Sequence, residues 1–210
     1  MNIIILGPPA SGKGTQAERI SKEFSIPHIS TGSILRHAIE NKTGLGLKAK
    51  KYVEAGELVP DELMDELVKE RLSFRDCNSG FILDGFPRDI EQARALENIR
   101  AVEYAFDITL SEDEAVKRLA QRRECPRCGK TYNLKTMPPR KKGVCDDCNT
   151  RLSRRKDDNP DAIRNRMKVY EKQAGPLRDY YNSENTLTRI DGGKNIEEVG
   201  GEIRKNLYIP

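Results

Sequence analysis

Apolar positions along this chain follow two rhythms. Unbroken runs at "IIIL" (Ile3 to Leu6), "GFILDG" (80–85) and "EYAFDITL" (103–110) are too short for helices and lack polar alternation. Such runs read as strands covered on both faces, the habit of parallel sheets. Behind the first run, "KGTQAERISKEF" sets Ala17, Ile20 and Phe24 on one helical stripe, and 89–99 and 112–123 follow the next two runs with the same period. "TLTRID" (186–191) and 195–207 read as a last strand and a last helix. The alternation predicts an α/β fold: a right-handed, parallel sheet core with helices on both faces.

Two stretches leave that rhythm. Residues 30–60 read as short helices broken by Gly44, Gly46 and Gly56, with no strand pattern. Residues 124–153 hold four cysteines, two consecutive prolines and several turn signals. Beyond them a helix restarts, with Asn159 as its expected N-cap and Pro160 at the first helical position. Its core stripe is Ile163, Met167, Tyr170, Ala174 and Leu177, and Arg166 lies one residue off that stripe, placed to look into a cleft.

Gly7-Pro8-Pro9-Ala10-Ser11-Gly12-Lys13 has the G-x-x-x-x-G-K spacing of a nucleotide-phosphate loop. Glycines let backbone N–H groups turn in around phosphate oxygens, the following helix adds its dipole, and Lys13 adds a point charge. Gly14 follows Lys13 where the general pattern has Ser or Thr, and Thr15 comes one step later. In "FILDGFPRDIEQ", Asp84 falls at the C-terminal end of a strand, where open α/β sheets bind ligands, and can hold magnesium through water.

The four cysteines form Cys125-x₂-Cys128, sixteen residues, then Cys145-x₂-Cys148. That spacing suits a tetrahedral zinc, and four ligands leave no open position, so the metal is expected to be structural. Cys77 has no partner in this arithmetic and reads as a buried free thiol. His28 and His37 match no ligand or catalytic pattern; His28 is expected to pack after Pro27 and His37 to face solvent.

Charge sharpens the picture. Residues 117–156 carry 14 Lys/Arg against Glu124, Asp146 and Asp147, a formal +11 that leaves −7 on the rest of a chain whose total is +4. Either a polyphosphate pocket or a nucleic-acid surface accounts for such a segment. With 33 % charged residues and no long apolar run, no transmembrane helix is expected; no secretory signal is visible, so a cytoplasmic setting follows.

"GPPASGKGTQ", "ISTGSILR", "LDGFPR" and "RKDDN" occur in the order and at the spacings of the adenylate kinases, and the chain resembles bacterial members of that family with a long, cysteine-bearing lid. The resemblance covers essentially all 210 residues, and "GKGT" is itself typical of the family. It implies the P-loop nucleoside-monophosphate-kinase fold, with a core of 1–29, 60–121 and 160–210, an AMP-binding insertion of 30–59 and a lid of 122–159 with the four-cysteine zinc site. It also implies magnesium-dependent transfer of a phosphoryl group from ATP to AMP, giving two ADP, by a monomer with no nucleic-acid or membrane partner.

By that resemblance Ala10, Ser11, Gly12, Lys13, Gly14 and Thr15 hold the ATP phosphates, while Arg122, Thr131, Tyr132 and the backbone near Lys194 contact the rest of ATP. Thr31, Arg36 and Gln92 bind AMP, with Glu57, Leu58, Val59, Gly85, Phe86, Pro87 and Arg88 closing that pocket. Arg155 and Arg166 reach the transferring phosphoryl group and AMP, and the catalytic set is Lys13, Arg88, Arg122, Arg155 and Arg166. Ser33 stands where bacterial relatives often have Asp, removing one outer magnesium contact. The alternatives are a zinc ribbon that grips RNA or DNA, a kinase for UMP, CMP or GMP, and a GTPase-like switch. Tyr132 is the sole aromatic in the basic segment, too few for base stacking, and no guanine-reading segment is recognisable.

Overall fold

The computed structural model describes residues 1–55, 59–155, 158 and 160–207, without the side chains of 36, 37, 40, 53–55 and 160–162. The expectations for Glu57, Leu58, the Asn159 cap and the side chains of Arg36 and His37 therefore lie outside the described residues.

The described strands are β1 (Asn2–Leu6), β2 (His28–Ser30), β3 (Phe81–Asp84), β4 (Tyr104–Thr109), β5 (Arg122–Glu124), β6 (Thr131–Asn133) and β7 (Leu187–Asp191). The helices are α1 (Lys13–Phe24), α2 (Thr31–Glu40), α3 (Gly44–Ala55), α4 (Asp61–Leu72), α5 (Ile90–Ile99), α6 (Glu112–Ala120), α7 (Pro160–Ser183) and α8 (Ile196–Leu207). Five strands form one parallel sheet in the order β2-β3-β1-β4-β7. The chain leaves β1 toward one edge and later returns to build the other, so the ends of β1 and its neighbours frame the crevice where such sheets bind ligands.

The apolar runs lack alternation because both sheet faces are covered. Ile3 and Ile5 pack with Ile82, Phe106 and Ile190 beneath Ala17 and Ile20 of α1 and Val199 and Ile203 of α8. Ile4 and Leu6 point the other way, to a cluster with Leu83, Val68 of α4, Leu96 of α5 and Leu177 of α7. Each fully buried Ile or Leu contributes roughly 2–3 kcal/mol, so the sheet is a firm platform for loops at its C-terminal edge. Of the α7 stripe, Ile163, Met167, Ala174 and Leu177 are buried, and Tyr170 is half-buried.

Three elements differ from expectation. β2 is an edge strand of three residues in which His28 and Ser30 flank Ile29, so no apolar run announces it. α4 was not anticipated, although Met64, Leu67, Val68 and Leu72 form its buried stripe. α6 ends at Ala120 rather than 123 because the chain turns at Gln121 into β5, which pairs antiparallel with β6 as a small separate sheet. Among the described residues, no helix is long and apolar enough to cross a membrane.

Candidate active site

The loop after β1 closes on itself. Gly12 takes the left-handed conformation (φ 94°), a turn that favours glycine, and α1 begins at the next residue. The Lys13 ammonium donates across the loop to the Pro8 carbonyl at 3.0 Å. Ser11 is buried, and its hydroxyl lacks a hydrogen-bond partner among the described residues. That leaves a donor free inside a loop of the shape that cradles phosphate.

Asp84 ends β3 opposite Ile5 of β1 and faces the start of α1. A Cβ on Gly14 would come within 3.3 Å of Asp84 Oδ2, so the missing side chain at 14 makes room for the carboxylate. Burial pushes the Asp84 pKa up, but His28, Lys13 and Arg88 outweigh it and leave the group below its ordinary value, hence ionised. The nearest nitrogen of His28, Nε2, is 3.7 Å from Asp84 Oδ2. Burial lowers the Lys13 pKa to about 8; Asp84 opposes the fall, and Arg166, Arg122 and Arg88 add to it. One lysine thus feels three arginines, a concentration of positive charge that calls for a polyanion.

Residues after β3 build a second wall. Thr31 Oγ1 donates to the carbonyl of Gly85 at 3.1 Å, and Arg88 Nε donates to the same oxygen at 3.0 Å. Gln92 is buried; its Oε1 accepts from the Arg88 N–H at 2.8 Å and its Nε2 donates to Asp61. Asp89 caps α5 by accepting from the Gln92 N–H at 2.9 Å. Burial lowers the Arg88 pKa against the pull of Asp84 and Asp61.

The third wall comes from β5 and the chain after β6. Arg122 forks onto Asp158, whose side chain is fully buried. Arg155 forks onto Glu124, both bonds at 2.6 Å. Arg166 of α7 lines the same open cleft, which runs between the phosphate loop, Thr31, Arg88 and the β5–β6 unit.

The β5–β6 unit contains the cysteines. None of the five cysteines is in a disulfide, and Cys77 is buried as expected. The Sγ atoms of Cys125, Cys128, Cys145 and Cys148 lie within 4.8 Å of one another, with 3.3 Å between 125 and 148 and 3.6 Å between 128 and 145. Zinc–sulfur bonds of about 2.3 Å put tetrahedral sulfurs about 3.8 Å apart, so the four thiols fit such an ion. Each pair sits in the same turn: Gly129 N–H donates to Cys125 O at 2.9 Å and Asn149 N–H to Cys145 O at 3.0 Å. The Tyr132 hydroxyl donates to Cys145 Sγ at 3.4 Å and accepts from Asp146 N–H at 2.8 Å.

A family model described as adenylate kinase matches residues 5–186. An adenylate kinase of Carboxydothermus hydrogenoformans is 50 % identical over 212 aligned positions, covering 99 % of each chain. Adenylate kinases of Pelobacter propionicus and Bacillus licheniformis are 48 % and 47 % identical, over 99 % of this chain and 96 % and 98 % of their own. The chain belongs to the adenylate kinase family.

Within this family member, Lys13, Asp84, Arg88, Arg122, Arg155 and Arg166 all line one cleft, as do Thr31, Val59 and the loop from Ala10 to Thr15. Gln92 borders the Arg88 side of it, next to Asp61 and Val59. Gly85 and Pro87 line the cleft, while Phe86 is turned into the core. Two expected ATP contacts carry occupied side chains: the Tyr132 ring is buried against the cysteines, and the Lys194 ammonium pairs with Glu202. Both residues border the cleft, so their backbones are the parts on offer. The sequence reading missed His28, Asp61, Glu124 and Asp158, each beside a predicted site residue. The acids of "RKDDN" were a usable signal for Asp158; Glu124 and His28 had none, because their partners are 31 and 56 residues away.

Proposed function

We propose that the chain transfers the terminal phosphoryl group of ATP to AMP, giving two ADP. The observation that carries this is the cleft lined together by Lys13, Arg88, Arg122, Arg155 and Arg166. Two nucleotides bring several negative charges face to face, and phosphoryl transfer asks the protein mainly for positioning and charge stabilisation. The loop from Ala10 to Thr15 would hold the ATP phosphates, with Lys13 supplying a positive charge to them. Thr31, Arg36, Gln92 and Arg88 would hold AMP, with 57–59 and 85–88 as the pocket wall. An oxygen of the AMP phosphate attacks the terminal phosphorus in line and the ADP oxygen leaves; Lys13, Arg88, Arg122, Arg155 and Arg166 would neutralise the charge that spreads over the transferring group. AMP attacks with an anionic oxygen, so no protein base is required.

Magnesium would sit on the ATP phosphates, held through water by the ionised Asp84, and supplies charge neutralisation there. Zinc would be held by Cys125, Cys128, Cys145 and Cys148 as a structural brace. In this reading 1–29, 60–121 and 160–210 are the core, 30–59 the AMP-binding insertion, and 122–159 a lid whose closure excludes water. A cytoplasmic monomer fits the same reading. Part of the lid's positive charge is already matched internally, by Arg122–Asp158, Arg155–Glu124 and Lys130–Asp147, which argues against a nucleic-acid surface.

The test is ADP formation from ATP and magnesium with AMP, UMP, CMP or GMP offered separately. A strong preference for AMP is expected. Activity on another monophosphate would overturn the roles of Thr31 and Gln92, and no transfer at all would overturn the function.

A further inference from the structure

Glu124 is a carboxylate on the cleft wall of an enzyme that must attract phosphates, and at 9 % exposure it is nearly buried. An acid there works against substrate binding unless it serves a cation. Its two oxygens each accept one 2.6 Å bond from Arg155, Oε2 from Nε and Oε1 from Nη2. That is the planar fork-to-fork arrangement, the most directional contact a guanidinium makes. The pair is well shielded, with 12 % of the Glu124 side chain and 19 % of Arg155 exposed.

The backbone around the pair is tied independently. Glu124 N–H donates to Ser153 O at 2.8 Å, and Ser153 N–H returns a bond to Glu124 O at 2.9 Å. These bonds join the strand entering the β5–β6 unit to the strand leaving it, two residues before Arg155. Glu124 and Arg155 are therefore on one piece of the neck and would travel together in any closure of that unit. The backbone bonds do not need the carboxylate, so the side-chain pair is not required to hold the neck shut.

We propose that Glu124 is a positioning residue for phosphoryl transfer: it grips Arg155 by its Nε edge and aims the rest of the guanidinium at the transferring phosphoryl group. A free arginine side chain must surrender rotamer entropy to bind, and a gripped one gives most of it up before substrate arrives. The inference rests on the proposed function, because it assigns Arg155 a target in that reaction.

The test is a double-mutant cycle with Glu124→Gln and Arg155→Ala, assayed with ATP and AMP well below the melting midpoint of each variant. Glutamine keeps the length of the side chain but not its charge and can accept only one of the two bonds. Glu124→Gln is expected to lower kcat about tenfold with KM for ATP within about twofold, since a misaimed charge matters most in the transition state. In the Arg155→Ala background the same substitution is expected to change kcat by less than twofold. Thermal midpoint and metal content are read alongside, and a purely structural role would move those rather than the split between kcat and KM. An unchanged kcat in Glu124→Gln would overturn the proposal. So would an equal loss in both backgrounds, which means Glu124 acts elsewhere, or tighter ATP binding, which means it competes for Arg155. If the wild-type protein makes no ADP at all, the proposed function fails instead, and the two failures are distinguishable.

Discussion

Lys13 is held in a place that disfavours its own charge, and this makes Lys13→Met an informative change. Its pKa falls from 10.5 to about 8, a shift worth roughly 3 kcal/mol against the folded state at pH 7. Lys13 is only partly buried by accessible area and the cleft is open, so solvent screening reduces this to roughly 2–3 kcal/mol. Methionine removes that penalty but also the charge-assisted bond from Lys13 to the Pro8 carbonyl, worth about 1.5 kcal/mol. The variant is therefore expected to be about 1 kcal/mol more stable than wild type at pH 7 and inactive.

The sign of the pH dependence separates this from simple repacking. The penalty is fully present below pH 8, where the folded protein must keep the proton. Between pH 8 and 10.5 the folded wild type sheds a proton that the unfolded chain retains, so wild-type stability rises with pH relative to Lys13→Met. Urea unfolding of both proteins at pH 7 and pH 9 should show the gap narrowing by about 1 kcal/mol. A gap that is flat or that widens with pH would refute the reasoning. Bound triphosphate should restore the proton, so ATP binding at pH 8–9 should take up protons, visible as a buffer-dependent heat.

Arg88→Ala should lower turnover at least about a hundredfold with little change in thermal midpoint, since its charge counts most in the transition state; an unchanged turnover removes Arg88 from the mechanism. Asp107, fully buried on β4, accepts from Arg178 at 2.6 Å and from Tyr170 at 2.9 Å, so Asp107→Asn should destabilise by about 3 kcal/mol in urea. A loss under about 1 kcal/mol would mean that α7 is held by its apolar stripe alone. Cys128→Ser should reduce bound zinc and lower the thermal midpoint while leaving substantial activity at low temperature. A heat-stable but inactive variant would show that the metal does more than brace the fold.

Local signals were legible in the chain and distant ones were not. The phosphate loop, Asp84 at a strand end and the paired cysteines are each set by neighbours a few residues away, and the structure puts all of them where such spacing implies. β2 escaped because a three-residue edge strand with polar ends offers no apolar run. α4 was readable in principle from Met64, Leu67, Val68 and Leu72, but its many acids mask the stripe. Of the carboxylates behind Arg122 and Arg155, Asp158 had a cue in "RKDDN" and Glu124 had none, and both pairings, across 36 and 31 residues, depend on how the neck of the β5–β6 unit folds back on itself.

That neck has a consequence for how the molecule can change over time. Because the chain enters at Glu124 and leaves at Ser153 through paired backbone bonds, the intervening stretch starts and finishes at nearly the same point in space. A segment with adjoining ends can be lengthened, trimmed or exchanged without pulling on the parallel sheet beneath it. The turns that carry the four cysteines are thus free to vary in length and sequence, while the phosphate loop and the strands that hold it stay the same.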